Sequence, residues 1–305
     1  NPLYYKHLQR DGQSINTMAG SERIARLGQP DRIWAIPACH AEIGPLRELH
    51  EYLAAEFRAG DRIVYLGNMI GHGGATLETV DELIRFRREI IARREVLHTD
   101  VVYLRGAQEE IWHRLLQLQF APNPGEVLQW MLSNGAAPIV RAYGGDPQAG
   151  ICAARSGAKA ITRWTNALRH GIRLNDGHTQ FFSVIRRAAL TDYSQSNQTN
   201  TMLVSAGVCP VTPLENQGET LWFGGKRFDQ YSQPVHGCGR VIRGRRNELN
   251  APMEPSIGAV SATLDSGCGP HGGMLNLACI DPSGEVEIAR QFQIEQEVID
   301  FRIIA

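Results

Sequence analysis

The sequence predicts an α/β fold built on two sheets, the first parallel and covered by helices on both faces, the second mixed or antiparallel. Three observations carry this. Short apolar runs alternate with segments of helical periodicity from Arg32 to Leu116. Helical periodicity alone continues from Pro122 to about Arg187. Short apolar runs joined by turn residues return from Met202 onward.

The elements follow in order. Residues 1–31 are polar and aperiodic and read as an N-terminal arm with a short helix, which leaves 32–305 as one domain. Arg32–Pro37 is a buried-strand run. Leu46, Leu49, Leu53 and Phe57 then recur at helical spacing, and Gly60-Asp61 stops that helix. Arg62–Leu66 is a second strand. Leu77, Val80, Ile84 and Ile91 mark a helix with arginines outside. Val101–Leu104 is a third strand, and Trp112, Leu115 and Leu116 mark a third helix. Strands this apolar between helices belong to a parallel sheet buried on both faces.

Residues 122–187 read as a helical insertion over one edge of that sheet. Its faces are Val127, Leu128, Met131 and Leu132, ending at Asn134-Gly135; then Ile161, Trp164 and Leu168; then Phe181, Phe182 and Ile185. Asp192–Thr201 is a surface loop. Strands are expected at Met202–Val204, around Val235, at Ala259–Leu264, Met274–Ile280 and Val286–Phe292.

Composition narrows the function classes. The chain has 305 residues, 31 basic and 32 acidic side chains, and 43% hydrophobic residues. It is long enough to bury a core without disulfides or metal staples. A net charge of −1 argues against a generally basic nucleic-acid binder and against an acidic disordered tail. No run approaches the roughly 20 apolar residues of a membrane span, and the polar start does not read as a signal peptide. The six cysteines form no C-x-x-C pair and read as reduced thiols, so the expected location is cytoplasmic.

In a parallel α/β sheet the chemistry collects at the carboxyl ends of the strands. Those ends read Pro37-Ala38-Cys39-His40-Ala41, Gly67-Asn68-Met69-Ile70-Gly71-His72-Gly73 and Arg105-Gly106-Ala107-Gln108-Glu109. Later ones read Val204-Ser205-Ala206-Gly207, Val235-His236-Gly237-Cys238-Gly239, and Leu264-Asp265-Ser266-Gly267-Cys268-Gly269. In order, strand context and spacing, this series resembles the calcineurin-like metallophosphatases, especially the bacterial relatives of the serine/threonine phosphatases. Their signatures are G-D-x-H-G, G-D-x-V-D-R-G, L-R-G-N-H-E, V-H-A-G, G-H-T and D-T-G…G-G-x-L. The resemblance runs from Arg32 to Ile280 without the insertion. It implies a metallophosphatase-like αββα sandwich of two mixed sheets flanked by helices.

The same resemblance implies a damaged metal site. Where the family places Asp, His, a bridging Asp, Asn and two further His, this chain has Ala38, His40, Asn68, Ala107, Ser205 and Cys238. Gly71 and His72 replace a further Asp and an Arg, and Gln108 replaces the His that assists the leaving group. Arg105, which the resemblance makes a phosphate-binding residue, is kept, as is Glu109. Two divalent ions roughly 4 Å apart need anionic oxygen ligands to offset their repulsion. One imidazole and one amide do not supply them.

The function expected is therefore that of a pseudophosphatase: a catalytically degenerate metallophosphatase-fold protein that binds a protein partner or a phosphorylated ligand, with no cofactor. One alternative is an active phosphoesterase with a rearranged single-metal site, one Zn or Mn ion held by His40, His72, His236 or Cys238, with His271 nearby. The other is a structural subunit of a homo- or hetero-oligomer with a vestigial pocket. Cys39 or Cys238 as nucleophile requires a lowered thiol pKa. Gly267-x-Gly269-x-x-Gly272 matches a dinucleotide fingerprint by letter but precedes a strand rather than a helix. Arg240, Arg243, Arg245 and Arg246 form a basic stretch, read as a solvated loop that has the chemistry to hold a phosphate or an RNA backbone.

Overall fold

The computed structural model describes residues 23–225, 227–246 and 254–294. The chain runs β1 (Ile24–Gly28), β2 (Ile33–Ile36), α1 (Ile43–Glu56), β3 (Arg62–Tyr65), α2 (Thr76–Ile91), β4 (Val101–Tyr103) and α3 (Ala107–Leu115). The helical stretch follows as α4 (Pro124–Met131), a π turn (Leu132–Ala136), α5 (Ala137–Ala142), α6 (Pro147–Arg155), α7 (Ala158–Arg173) and α8 (His178–Val184). Then come β5 (Ala188–Thr191), β6 (Thr201–Val204), the short α9 (Thr220–Phe223), β7 (Arg240–Arg243), β8 (Ser256–Ile257), β9 (Ser261–Thr263), β10 (Leu275–Ile280) and β11 (Val286–Phe292).

Two mixed sheets result, ordered β11-β10-β2-β3-β4 and β1-β5-β6-β7-β9-β8. In the first, β2, β3 and β4 are parallel and β10 is antiparallel to β2, with Ala278 opposite Ala35. In the second, β6, β7 and β9 are parallel, with Leu203 opposite Ile242 and Ile242 opposite Ala262.

The period of two explains why the strand runs are apolar throughout. Ile33, Ala35, Val64, Val102, Ala278 and Ile280 face Leu27, Ala189, Leu203, Ile242 and Ala262 across the space between the sheets. The alternate residues Trp34, Ile36, Ile63, Tyr65, Val101 and Tyr103 face the helices instead. On the far side of the second sheet, Ala188, Leu190, Met202, Val204 and Val241 pack with Leu221, Trp222 and Phe228. The residues of β2, β4, β5, β6 and β9 are all buried and each meets a core, the condition for unbroken hydrophobicity, whereas the edge strands β8 and β11 are partly exposed. The fold class read from the sequence, two mixed sheets flanked by helices, is the one observed.

The insertion is not a separate lobe. Leu128, Ile139, Val140, Ile161, Leu168 and Phe181 join the same core as α1, α2 and α3, and α2 contacts both α5 and α8. Gly135, at φ +101°, turns the chain between α4 and α5, as the Asn134-Gly135 pair predicts.

Three sequence readings are corrected. The arm expected through residue 31 contains β1, paired parallel to β5 with Ile24 opposite Ala188. The two large apolar residues Ile24 and Leu27 face opposite sides of its sheet, so no periodicity announced the strand. The strand expected around Val235 is only a single bridge, Val235 to Cys238. The strand in its place is β7, inside the stretch read as a basic loop, with Arg243 fully buried. Among the described residues no helix is long and apolar enough to cross a membrane, and all six cysteines are free.

Candidate functional site

Parallel strands deliver their following loops to one end of each sheet. The two sets of loops meet there. Ala38 N–H donates to Gly244 O at 3.1 Å, and the Gly244 and Arg245 N–H groups both donate to Ser205 O, at 3.0 and 2.9 Å. Asn68 Nδ2 donates to Ser205 Oγ at 3.3 Å. Residues after β2, β3, β6 and β7 are therefore bonded into one cluster.

Backbone strain concentrates in the first two loops. His40, Ala41, Asn68 and His72 have φ of +48°, +63°, +55° and +61°. Non-glycine residues pay roughly 1–3 kcal/mol each for such conformations, and persist in them only where neighbours enforce it. Here the enforcement is visible: the N–H groups of Cys39 and His40 both donate to Asn68 O, at 3.2 and 2.9 Å, and Ala41 N–H donates to Met69 O at 2.9 Å.

Glu109 is the keystone below them. Its buried carboxylate accepts the N–H of Asn68 (2.8 Å), Met69 (2.8 Å), Ile70 (3.3 Å) and Gly106 (2.8 Å). Burial pushes its carboxyl up, and these N–H donors pull it back. Asp265 is used similarly, accepting Gly267 N–H at 2.9 Å and Arg246 N–H at 2.8 Å. Both carboxylates at the strand ends thus hold backbone.

The groups gathered at the strand-end side of the cavity are cationic or neutral, while the carboxylate of Glu219 also lines it. His40, buried, and His72, half-buried, meet edge-to-face with centroids 4.9 Å apart. Burial lowers both imidazoles, and the Arg245 guanidinium is the leading charge that lowers them further. His40 Nδ1 is buried with no hydrogen-bond partner. Gln108 Nε2 lies 3.0 Å from His72 Nε2 and 2.9 Å from Asn134 O. His72, Gln108, Asn134, Arg245, Trp130 and Phe223 line a cavity of about 600 Å³.

Most sequence-predicted positions come together: His40, Asn68, His72, Ala107, Gln108 and Ser205 converge, with Ala38 buried at the junction and Gly71 packed on Gln108. Others do not join them. His236 is exposed and pairs with Cys209 O at 3.0 Å, and Cys238 is buried in the core behind the second sheet. Both left the set because the loop after β7 is Gly244-Arg245-Arg246, not 236–239. Arg105 is tied to Glu110 at 3.0 Å and does not line the cavity. Burial pushes the Cys39 thiol up to about 12 and raises Cys238, which removes either as a nucleophile. The residue the sequence reading undervalued is Arg245; the signal available was its place one residue after a glycine at a strand end.

These residues do not fit a dinuclear metal centre. The two carboxylates are bonded to N–H groups, the imidazoles in contact are His40 and His72 with exposed His271 acting on both only by its charge, and a guanidinium stands beside them. Among the described residues no three His, Cys, Asp or Glu side chains are grouped so as to hold a metal ion.

No protein-family model matches the chain, and no curated protein matches it in sequence. Solved structures do. A serine/threonine phosphatase from Saccharomyces cerevisiae with similarity to human phosphatase PP5 shares 12% identity over 91% of this chain and 87% of its own, with a TM-score of 0.49. A candidate diadenosine tetraphosphatase shares 16% identity over 87% and 96%, with a TM-score of 0.47. A metallophosphoesterase from Sphaerobacter thermophilus shares 15% identity over 87% and 88%, with a TM-score of 0.40. The structural neighbours are thus metallophosphoesterases and serine/threonine phosphatases, similar at low identity.

Proposed function

We propose that this chain works by binding an anionic ligand at the strand-end cavity, and not by metal-dependent phosphoester hydrolysis. The observation that carries the reading is the charge arrangement at that end: Arg245 beside His40 and His72, with Glu109 and Asp265 both turned to backbone N–H groups. A fixed guanidinium does what a metal ion does for an anion, supplying positive charge, but it generates no hydroxide nucleophile. His40 and His72 are held neutral, so they serve as hydrogen-bond donors and acceptors rather than as competing cations.

Metal content and turnover test this together. Purified protein dialysed against Mn²⁺ and Zn²⁺ is expected to retain well under one equivalent of metal by mass spectrometry. It is expected to show no Mn²⁺-dependent hydrolysis of an aryl phosphate. Two retained equivalents with metal-dependent turnover overturn the reading.

A further inference from the structure

The cavity has a direction. Its wall is α3, whose first turn carries Ala107 and Gln108, whose second carries Ile111, and whose last carries Arg114. The Gln108 and Arg114 backbones are about 9 Å apart along the helix at roughly 1.5 Å per residue, and the Arg114 side chain leans back one turn to Glu110 Oε1 at 2.7 Å. At the first end stand His72 and Arg245. At the other, Glu219 lines the cavity and accepts Arg114 Nη1 through Oε1 at 2.9 Å, which leaves its Oε2 as an acceptor. Between the ends the lining is Ile111, Trp130 and Phe223.

A second feature concerns the donor at the cationic end. Gln108 Nε2 is within bonding distance of both His72 Nε2 and the Asn134 carbonyl. A carbonyl accepts only, so the amide nitrogen is the donor to it, and its second hydrogen goes to His72 Nε2. The neutral imidazole then carries its proton on Nδ1, which makes His72 a donor on its other side.

Building on the binding role proposed above, we propose that the cavity takes a phosphate monoester of a flat, amine-bearing aromatic group, the chemistry of a nucleoside monophosphate. Arg245 and His72 Nδ1–H receive the phosphate oxygens. Trp130, Phe223 and Ile111 cover the ring, and Glu219 Oε2 accepts from the ring's amino group. Each part answers to a different feature of the lining. Guanidinium suits the tetrahedral oxyanion. Aromatic and aliphatic walls suit a ring that has no charge of its own. A lone carboxylate oxygen at the far end selects a donor and repels a carbonyl. A cavity of about 600 Å³ lies in the range that holds ligands of this size.

Titration calorimetry with four compounds tests the proposal: inorganic phosphate, adenosine, adenosine 5′-monophosphate and inosine 5′-monophosphate. The adenosine monophosphate is expected to bind tightest, with inorganic phosphate and adenosine each weaker by about tenfold or more. Inosine monophosphate, with a carbonyl where adenosine has the amine, is expected to lose about tenfold. Arg245→Gln is expected to weaken the nucleotide by about ten- to a hundredfold and to leave adenosine unchanged. Glu219→Gln is expected to abolish the preference for adenosine over inosine monophosphate, a readout that a folding defect does not imitate. Equal binding of inorganic phosphate and both nucleotides overturns the ligand class and leaves the anion-binding role standing. No binding by any of the four overturns both. Binding that survives Arg245→Gln unchanged overturns the placement.

Discussion

Gln108 Nε2 stands 3.0 Å from His72 Nε2 and 2.9 Å from Asn134 O, so one side-chain amide ties the imidazole at the end of β3 to the turn between α4 and α5. The strand-end loops and the helical insertion are coupled through that group. His72 N–H also donates to Gly135 O at 3.1 Å, so the tie is made twice.

The first prediction concerns that amide. Burial and Arg245 hold the His72 imidazole below its ordinary value. Replacing Gln108 by Glu puts a carboxylate within bonding distance of Nε2, which favours the imidazolium. The His72 titration midpoint, followed by imidazole proton NMR, is expected to rise by about one pH unit or more. A midpoint that stays put or falls contradicts the contact.

Glu109→Gln is the second. The amide offers one acceptor oxygen where the carboxylate offers two, and its NH₂ points a donor at donors. At least one buried N–H among Asn68, Met69 and Gly106 loses its partner. A loss of about 1–3 kcal/mol is expected for each buried group left unsatisfied, read as a lower urea midpoint. An unchanged midpoint shows that the carboxylate does not hold the loops.

A third compares two glycines. Gly67 has φ +87°, and a Cβ there stands 2.7 Å from Gly106 Cα and closer still to its nitrogen. Backbone does not yield as a side chain does, so Gly67→Ala is expected to cost more than about 3 kcal/mol or to prevent soluble expression. Gly74, two turns of chain away, has nothing within 4 Å of its Cβ position. Gly74→Ala is expected to stay within about 0.5 kcal/mol of the parent. Equal effects at the two positions contradict the close approach of the β3 and β4 loops.

How far the sequence reveals this molecule depends on which interaction determines each part. The runs of β2, β3 and β4 are legible because both faces of each strand are buried, and hydropathy alone registers that. His40, Asn68, Ala107 and Gln108 are legible as a group because each follows one of those runs directly. β7 is not legible, since a four-residue strand that begins with Arg240 and ends with Arg243 looks like a solvated stretch. Its burial rests on partners distant in sequence: Arg243 Nε donates to Thr263 Oγ1 at 2.8 Å, Nη2 to Asp229 at 3.0 Å, and the guanidinium lies 4.5 Å from the Phe228 ring centroid. Mistaking that strand moved the expected site to His236 and Cys238 and hid Arg245. The same cause hid β1 and β5, short strands whose pairing to each other, not their composition, places them.

The last prediction is acid lability centred beneath α1. His50 Nδ1 lies 2.6 Å from Glu82 Oε1, His50 Nε2 lies 2.7 Å from Tyr65 Oη, and the ring stacks on Phe86 at 3.9 Å. Burial is the largest influence on His50 and lowers its pKa despite the neighbouring carboxylate, so the pair is a neutral imidazole donating to Glu82 and accepting from the Tyr65 hydroxyl. Burial opposes the charge on Glu82, yet the Arg85 and His50 hydrogen bonds outweigh it and draw the carboxyl down to about 2. Both folded-state values lie below those of the unfolded chain, so both contributions to stability are present at high pH and are lost as pH falls. His50 begins to act below about pH 6.5, where the unfolded imidazole takes a proton that the folded one refuses. His40, His72 and His113, also lowered by burial, act with the same sign. Glu82 adds its part below about pH 4.5, the range in which an unfolded glutamate is protonated. Urea midpoints are therefore expected to be level only between about pH 7 and 8. Above that range they are expected to fall, as the unfolded chain ionises thiols that burial keeps protonated in Cys39, Cys238 and Cys279. Below about 6.5 they are expected to decline, with Glu82 adding to the acid loss and the raised carboxyl of Glu109 opposing it. His50→Gln is expected to be less stable at pH 7.5 and to show a shallower decline between pH 6.5 and 5. A variant whose midpoint falls as steeply as the parent's over that interval places the proton uptake on the other histidines and not on His50.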